Sequence, residues 1–82
     1  MPHVLAMGGE VERFTGGVAE FDVAAGSVGA MLRELDARWP GLGEYVERRM
    51  AIAIDGEIHQ DADGARLGPS SEVCLIPRIG GG

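Results

Sequence analysis

One stretch of this chain is compatible with a single secondary structure, and that structure restricts everything around it. From Val28 the apolar residues fall at Val28, Met31, Leu32, Leu35 and Trp39. Spacings of three, one, three and four draw one stripe along an α-helix. Ser27, after Gly26, is suited to N-cap it. Pro40-Gly41 ends it, because proline disfavours the helical conformation in the residue before it. Arg33, Glu34, Asp36 and Arg38 fall mostly on the opposite side. A helix with one apolar stripe has to bury it against another element. The chain has 82 residues, enough for one domain with a modest core, so short segments on either side must supply that surface.

Those segments read as strands. His3 to Met7 is a short apolar run stopped by Gly8-Gly9. Glu10 to Gly17 reads as a polar connection closed by two glycines, as a hairpin turn would be. In Val18 to Val23, Phe21 and Val23 alternate with Glu20 and Asp22, the pattern of a half-buried strand. After the helix, Leu42 to Val46 has room for one further turn. Met50 to Ile54 is a third strand, ended by the turn dipeptide Asp55-Gly56. Glu57-Ile58-His59 reads as a short paired strand. Asp61 to Ser71 is polar and irregular, with Leu67 as its single anchor. Val73 to Ile79 is the last strand, in which Pro77 marks an edge or a departure point. The first and last strands are expected side by side and parallel in the middle of the sheet, with the helix making the crossover.

The chain then turns from Leu75-Ile76 through Pro77-Arg78-Ile79 into Gly80, Gly81 and Gly82. Glycines at a chain end add nothing to a core. Taken alone they read as a frayed end. The competing reading is a carboxylate presented for chemistry on a thin, permissive backbone.

Composition narrows the partners. The net charge is −6, which argues against nucleic acid and against anionic membranes, both of which need positive patches. All seven basic residues are arginine; lysine is absent. A single cysteine, Cys74, excludes an intramolecular disulfide and a multi-cysteine metal site. His3 and His59 lie far apart, with no cysteine or carboxylate at ligand spacing, so no metal site is expected. With no signal peptide and no long apolar stretch, cytoplasmic residence is the default.

The order of elements together with the final glycines resembles the ubiquitin-like β-grasp proteins, and more closely the MoaD/ThiS group of small sulfur carriers. The pieces that carry the resemblance are Arg13-Phe14-Thr15-Gly16-Gly17, Val28-Gly29-Ala30-Met31-Leu32 and Leu35-Asp36-Ala37-Arg38-Trp39-Pro40-Gly41-Leu42. Ile54-Asp55-Gly56-Glu57 and Glu72-Val73-Cys74-Leu75-Ile76-Pro77 before the glycines complete them. Two segments depart from the family pattern. Gly68-Pro69-Ser70-Ser71 replaces an acidic glycine-containing turn, and Arg78-Ile79-Gly80 replaces small or apolar residues.

The resemblance implies an α+β fold: a mixed sheet of four to five strands with one main helix across one face. It implies a β-grasp domain over residues 1–79 and a glycine tail over residues 80–82. Gly82 would be the reactive residue, and Gly80 and Gly81 its leash. An adenylyltransferase of the ubiquitin-activating type would spend ATP to form an acyl-adenylate on Gly82. Sulfur from a sulfurtransferase or another persulfide donor would displace AMP and leave a thiocarboxylate, which an acceptor synthase subunit would consume. The chain itself would be a carrier rather than an enzyme and would bind no cofactor. By comparison with ubiquitin-like topology, Val73, Leu75, Ile52 and Ile54 should face the helix. Ala53, Cys74 and Ile76 should form an outward docking patch, against the alternative of an ordinary half-exposed sheet face. Arg78 would pair with acidic groups at a partner's channel mouth or simply be solvated. Cys74 reads as a packing residue rather than a reactive thiol. Three functions stay open at this point: a sulfur carrier for molybdopterin, thiamine or cysteine synthesis, a protein modifier joined through Gly82, and a β-grasp binding module with an inert tail.

Overall fold

The computed structural model describes residues 1–59 and 64–78. Its strands are β1 (His3–Ala6), β2 (Glu20–Asp22), β3 (Met50–Ile54), β4 (Glu57–His59) and β5 (Glu72–Pro77). Helices α1 (Glu12–Thr15), α2 (Val28–Arg38) and α3 (Leu42–Arg49) lie between them in sequence. The sheet has five strands in the order β2-β1-β5-β3-β4. At its centre β1 and β5 run parallel, with Val4 opposite Val73 and Leu5 opposite Cys74, as expected from their apolar runs. β5 pairs antiparallel with β3, Leu75 lying opposite Ile52.

One face of this sheet meets the helices. Val4, Ile52, Val73 and Leu75 from the strands are buried against Val28, Met31, Leu32 and Leu35 of α2. The stripe read from the sequence is thus the helix face in the core. Trp39 ends α2 in extended backbone and packs on Phe21 of β2, with ring centroids 5.0 Å apart. Ser27 caps α2 as its sequence position suggests, its Oγ accepting the N–H of Ala30 at 3.2 Å. Asp55 and Gly56 turn β3 into β4 with φ of 49° and 87°, the positive values a tight hairpin turn needs. Leu67 is buried, so the irregular segment is anchored where expected.

Three segments differ from their sequence reading. Residues between β1 and β2 form a helical turn, α1, instead of a plain polar hairpin connection. Val11 is fully buried and Phe14 packs against the core, a spacing of three on one helical face. Gly16 then ends α1 in left-handed backbone, φ 74°. The second strand is shorter than read, because Val18 bonds back to the Thr15 hydroxyl instead of joining the sheet. After Pro40 the chain forms an eight-residue helix, α3, where one turn was expected. Its N-cap, Gly41, has no side chain to satisfy the first amides. Asp36 of α2 does so instead: its Oδ1 accepts the N–H of Gly43 at 2.7 Å and lies 3.4 Å from that of Glu44. A Cβ on Gly43 would overlap the Leu32 carbonyl oxygen, so the two helices approach backbone to backbone at this point.

Candidate functional site: the exit of the last strand

β5 lies between two neighbours, and the way it ends sets where the glycines begin. Leu75 O accepts the N–H of Met7 at 2.9 Å, the last bond on the β1 side. Residues of a strand alternate the side to which they present backbone groups, so Pro77 would present the next donor towards β1. Proline has none, and that ladder stops. β1 turns away at the same level through Gly8, φ 88°. A Cβ on Gly8 would overlap Pro77 Cγ and lie 2.9 Å from Glu10 Oε1, so this glycine is the space in which the Pro77 ring sits.

On the other side the pairing continues by two bonds. Arg78 N–H donates to the Arg49 carbonyl at 3.2 Å, and Arg78 Nε–H donates to the Met50 carbonyl at 3.2 Å. The Arg78 side chain thus turns back along the junction of α3 and β3 and holds the strand's last described residue there. The sequence reading offered only partner pairing or plain solvation for Arg78; the intramolecular tie depends on the Met50–Pro77 register, which sequence alone does not show. Arg48 and Arg49 are exposed in the last turn of α3, whose Arg49 carbonyl takes the Arg78 N–H.

Beside it lies a cleft of about 210 Å³ lined by Glu10, Arg13, Phe14 and Tyr45. Phe14 and Tyr45 stack at 5.2 Å with a tilt of 46°. The Tyr45 hydroxyl donates to Glu10 Oε2 at 3.2 Å. Desolvation, then this bond, holds its pKa above the ordinary phenol value.

The sheet face away from the helices carries the expected patch residues. Cys74 and Ile76 are half-buried there, next to Leu5 of β1, which is 39% exposed. Ala53 shares this face with Cys74, its partner in register, but is only 6% exposed. It therefore forms a floor between its neighbours and offers little surface itself, a correction to the expected patch. The exposed apolar residue at that edge is Ile58, opposite Ala53 on β4 and 64% exposed. Leu5 and Ile58 were missed by the sequence reading, although the alternation of β1 and the short β4 both mark them as outward.

The remainder of this face is polar. The His3 ring bridges two carboxylates of β2, with Nδ1 2.9 Å from Asp22 Oδ1 and Nε2 3.2 Å from Glu20 Oε1. Bonds to Asp22 and then Glu20 raise its pKa above the usual imidazole value. Gly80, Gly81 and Gly82, expected to form the reactive end, lie outside the described residues, as does Ile79. No helix among the described residues is long and apolar enough to cross a membrane.

A five-stranded mixed sheet crossed by helices on one face, with parallel first and last strands, is the ubiquitin-like β-grasp arrangement. The model of the ThiS family matches residues 8–82, and the chain belongs to that family. No curated protein matches it. Among solved structures it is similar to CysO of Mycobacterium tuberculosis, described as an antigen. That match has a TM-score of 0.83 at 17% identity and covers 96% of this chain and 100% of the other. It is also similar to a chain of the Amycolatopsis orientalis BexX/CysO complex, with a TM-score of 0.84 at 14% identity and all of both chains covered. The small archaeal modifier protein 1 of Methanosarcina acetivorans matches with a TM-score of 0.77 at 21% identity, covering 99% of this chain and 95% of the other. At these identities the likeness speaks for the fold.

Proposed function

We propose that this protein carries sulfur on its C-terminal Gly82. A carboxylate is a poor acyl donor, so a partner adenylyltransferase first converts it to an acyl-adenylate at the expense of ATP. Persulfide sulfur attacks the acyl carbon and the bond to AMP breaks, leaving an acyl disulfide. A second thiol of the donor then attacks the donor-side sulfur, forms a disulfide with it, and releases the thiocarboxylate. That group then supplies sulfur to an acceptor enzyme of cofactor or metabolite biosynthesis. The observation that carries this reading is the end of β5: a central strand whose pairing with β1 stops at Pro77 and whose exit is held by Arg78, two residues before the first of three glycines. An exit fixed in this way suits the presentation of a glycine segment to a partner, and family membership supports the chemistry. In this scheme Gly80 and Gly81 pass through the partner's channel. Cys74, Ile76, Leu5 and Ile58 dock on its surface over the floor made by Ala53, and Arg78 keeps the segment's origin fixed.

The test is the intact mass of the protein purified from its native host. Sulfur in place of one terminal oxygen supports the carrier; its absence under all growth conditions overturns it. A second reading, a modifier conjugated through Gly82, is favoured by the likeness to the small archaeal modifier protein. High-mass conjugates in the same experiment support that alternative.

A further inference from the structure

The activated end of such a chain is an electrophile, and any amine that reaches it ends its use as a carrier. An amine's lone pair attacks the acyl carbon, a C–N bond forms, and the bond to the leaving group breaks. The leaving group departs with its electron pair, and the amine's proton passes to water. The resulting amide is no longer an acyl donor. Three observations bear on this side reaction.

First, the sequence has no lysine, and all seven of its basic residues are arginine. A guanidinium stays protonated and delocalised at any pH the protein meets, so it is not a nucleophile, whereas a lysine amine is one when deprotonated. Second, three arginines stand at or next in sequence to the residues that hold the origin of the glycine segment. Arg78 itself bonds to the carbonyls of Arg49 and Met50, and Arg48 and Arg49 are exposed beside it. Lysine at these places would put an amine within reach of the activated end. Third, the parallel pairing of β1 and β5 sets residues 1–3 at the opposite end of the sheet, His3 lying opposite Glu72. At ~3.3 Å per residue the run from Glu72 to Arg78 separates that end from the start of the tail by ~20 Å. Residues 79–82 span at most ~14 Å when fully extended. An amine on Met1 lies beyond this reach.

We infer that the arginine collar of Arg48, Arg49 and Arg78, together with the opposed end of β1, keeps the activated C-terminus from acylating its own chain. The collar supplies positive charge to an otherwise acidic molecule without supplying a nucleophile. This inference rests on the proposed activation of Gly82, but its test needs neither the partner nor sulfur chemistry, so the two fail separately.

The experiment prepares residues 1–82 as a C-terminal thioester of 2-sulfanylethanesulfonate, a stable surrogate for the activated acyl group. Dilute samples of the unaltered chain, Arg78→Lys and Arg48→Lys are held in mildly alkaline buffer and followed by intact mass. The unaltered chain should go only to the free acid. The lysine variants should in addition give a species one water lighter than the free acid that resists hydroxylamine, the mark of an internal amide. Hydroxylamine resistance separates it from a thiolactone on Cys74, which would be cleaved. Arg48 makes no described side-chain bond, so its variant keeps the test valid if Arg78→Lys loosens the exit. An internal amide in the unaltered chain, or none in both variants, overturns the inference.

Discussion

The carboxylate of Asp36, on α2, accepts the backbone N–H of Gly43, on α3, at 2.7 Å. It acts as the N-cap that Gly41 cannot provide, and it ties the first turn of α3 to α2. Removing an N-cap oxygen typically costs ~1 kcal/mol. Asp36→Ala is expected to lower unfolding free energy by about that amount, and Asp36→Asn by less. Gly43→Ala should cost more, ~2 kcal/mol, because its methyl group meets the Leu32 carbonyl and the helices must separate. Urea titration of the three variants checks this ordering.

Gly82→Ala should leave the unfolding transition unchanged and impair activation. Under the proposed function, the added methyl group would meet the wall of a channel that admits a glycine-width chain. ATP–pyrophosphate exchange with the cognate activating enzyme is the measurement; an unchanged rate contradicts the role of Gly82.

Arg78→Ala removes the bond from Nε to the Met50 carbonyl but keeps the backbone bond to Arg49. A single part-buried bond of this kind contributes modestly, so a stability loss of ~1 kcal/mol is expected. The larger effect should be a raised KM for the activating enzyme, as the segment's origin loses its fixed direction. A merely solvated Arg78 would leave KM unmoved.

Ile76→Asp places a charge at the half-buried centre of the outer sheet face, and Ile58→Asp does so at its exposed edge. If that face docks partners, both variants should weaken acceptor binding by tenfold or more, a loss of ~1.4 kcal/mol. Ile58→Asp should do so with no loss of stability, which separates docking from folding. Titration calorimetry with the acceptor and thermal unfolding together decide it.

His3 gives a pH dependence of defined sign. Its pKa is raised in the folded protein by Asp22 and Glu20. The protonated ring is therefore favoured by folding. Its contribution is fully present below the unfolded value of ~6.5 and fades as pH rises through the higher folded value. Asp22→Asn should bring the His3 pKa back down and flatten this part of the stability profile. An NMR titration of the ring protons follows the first, and denaturation across neutral pH follows the second.

Much of this fold is legible in the sequence because it rests on periodicity. The stripe from Val28 to Trp39 defines α2, and alternation in β5 separates Leu75, inward, from Cys74 and Ile76, outward. α1 escapes because one helical turn offers just the pair Val11 and Phe14, too little to set against the surrounding glycines. The extent of α3 escapes because Gly43 reads as a breaker until Asp36, seven residues earlier, is seen to hold its amide. The site divides in the same way. The outward face follows from a period of two, whereas the depth of Ala53 and the tie of Arg78 to Met50 follow from register between β3 and β5, which no local pattern encodes. Gly80, Gly81 and Gly82 are recognisable in the sequence alone.

The central position of β5 has a mechanical consequence. A partner that draws the C-terminal segment into a narrow channel applies its load along a strand bonded on both sides, parallel to β1 and antiparallel to β3. Yielding would require many ladder bonds to shear together, where an edge strand could peel one bond at a time. Under the proposed function, the segment on which a partner would draw is thus anchored in a strand that yields only by shear.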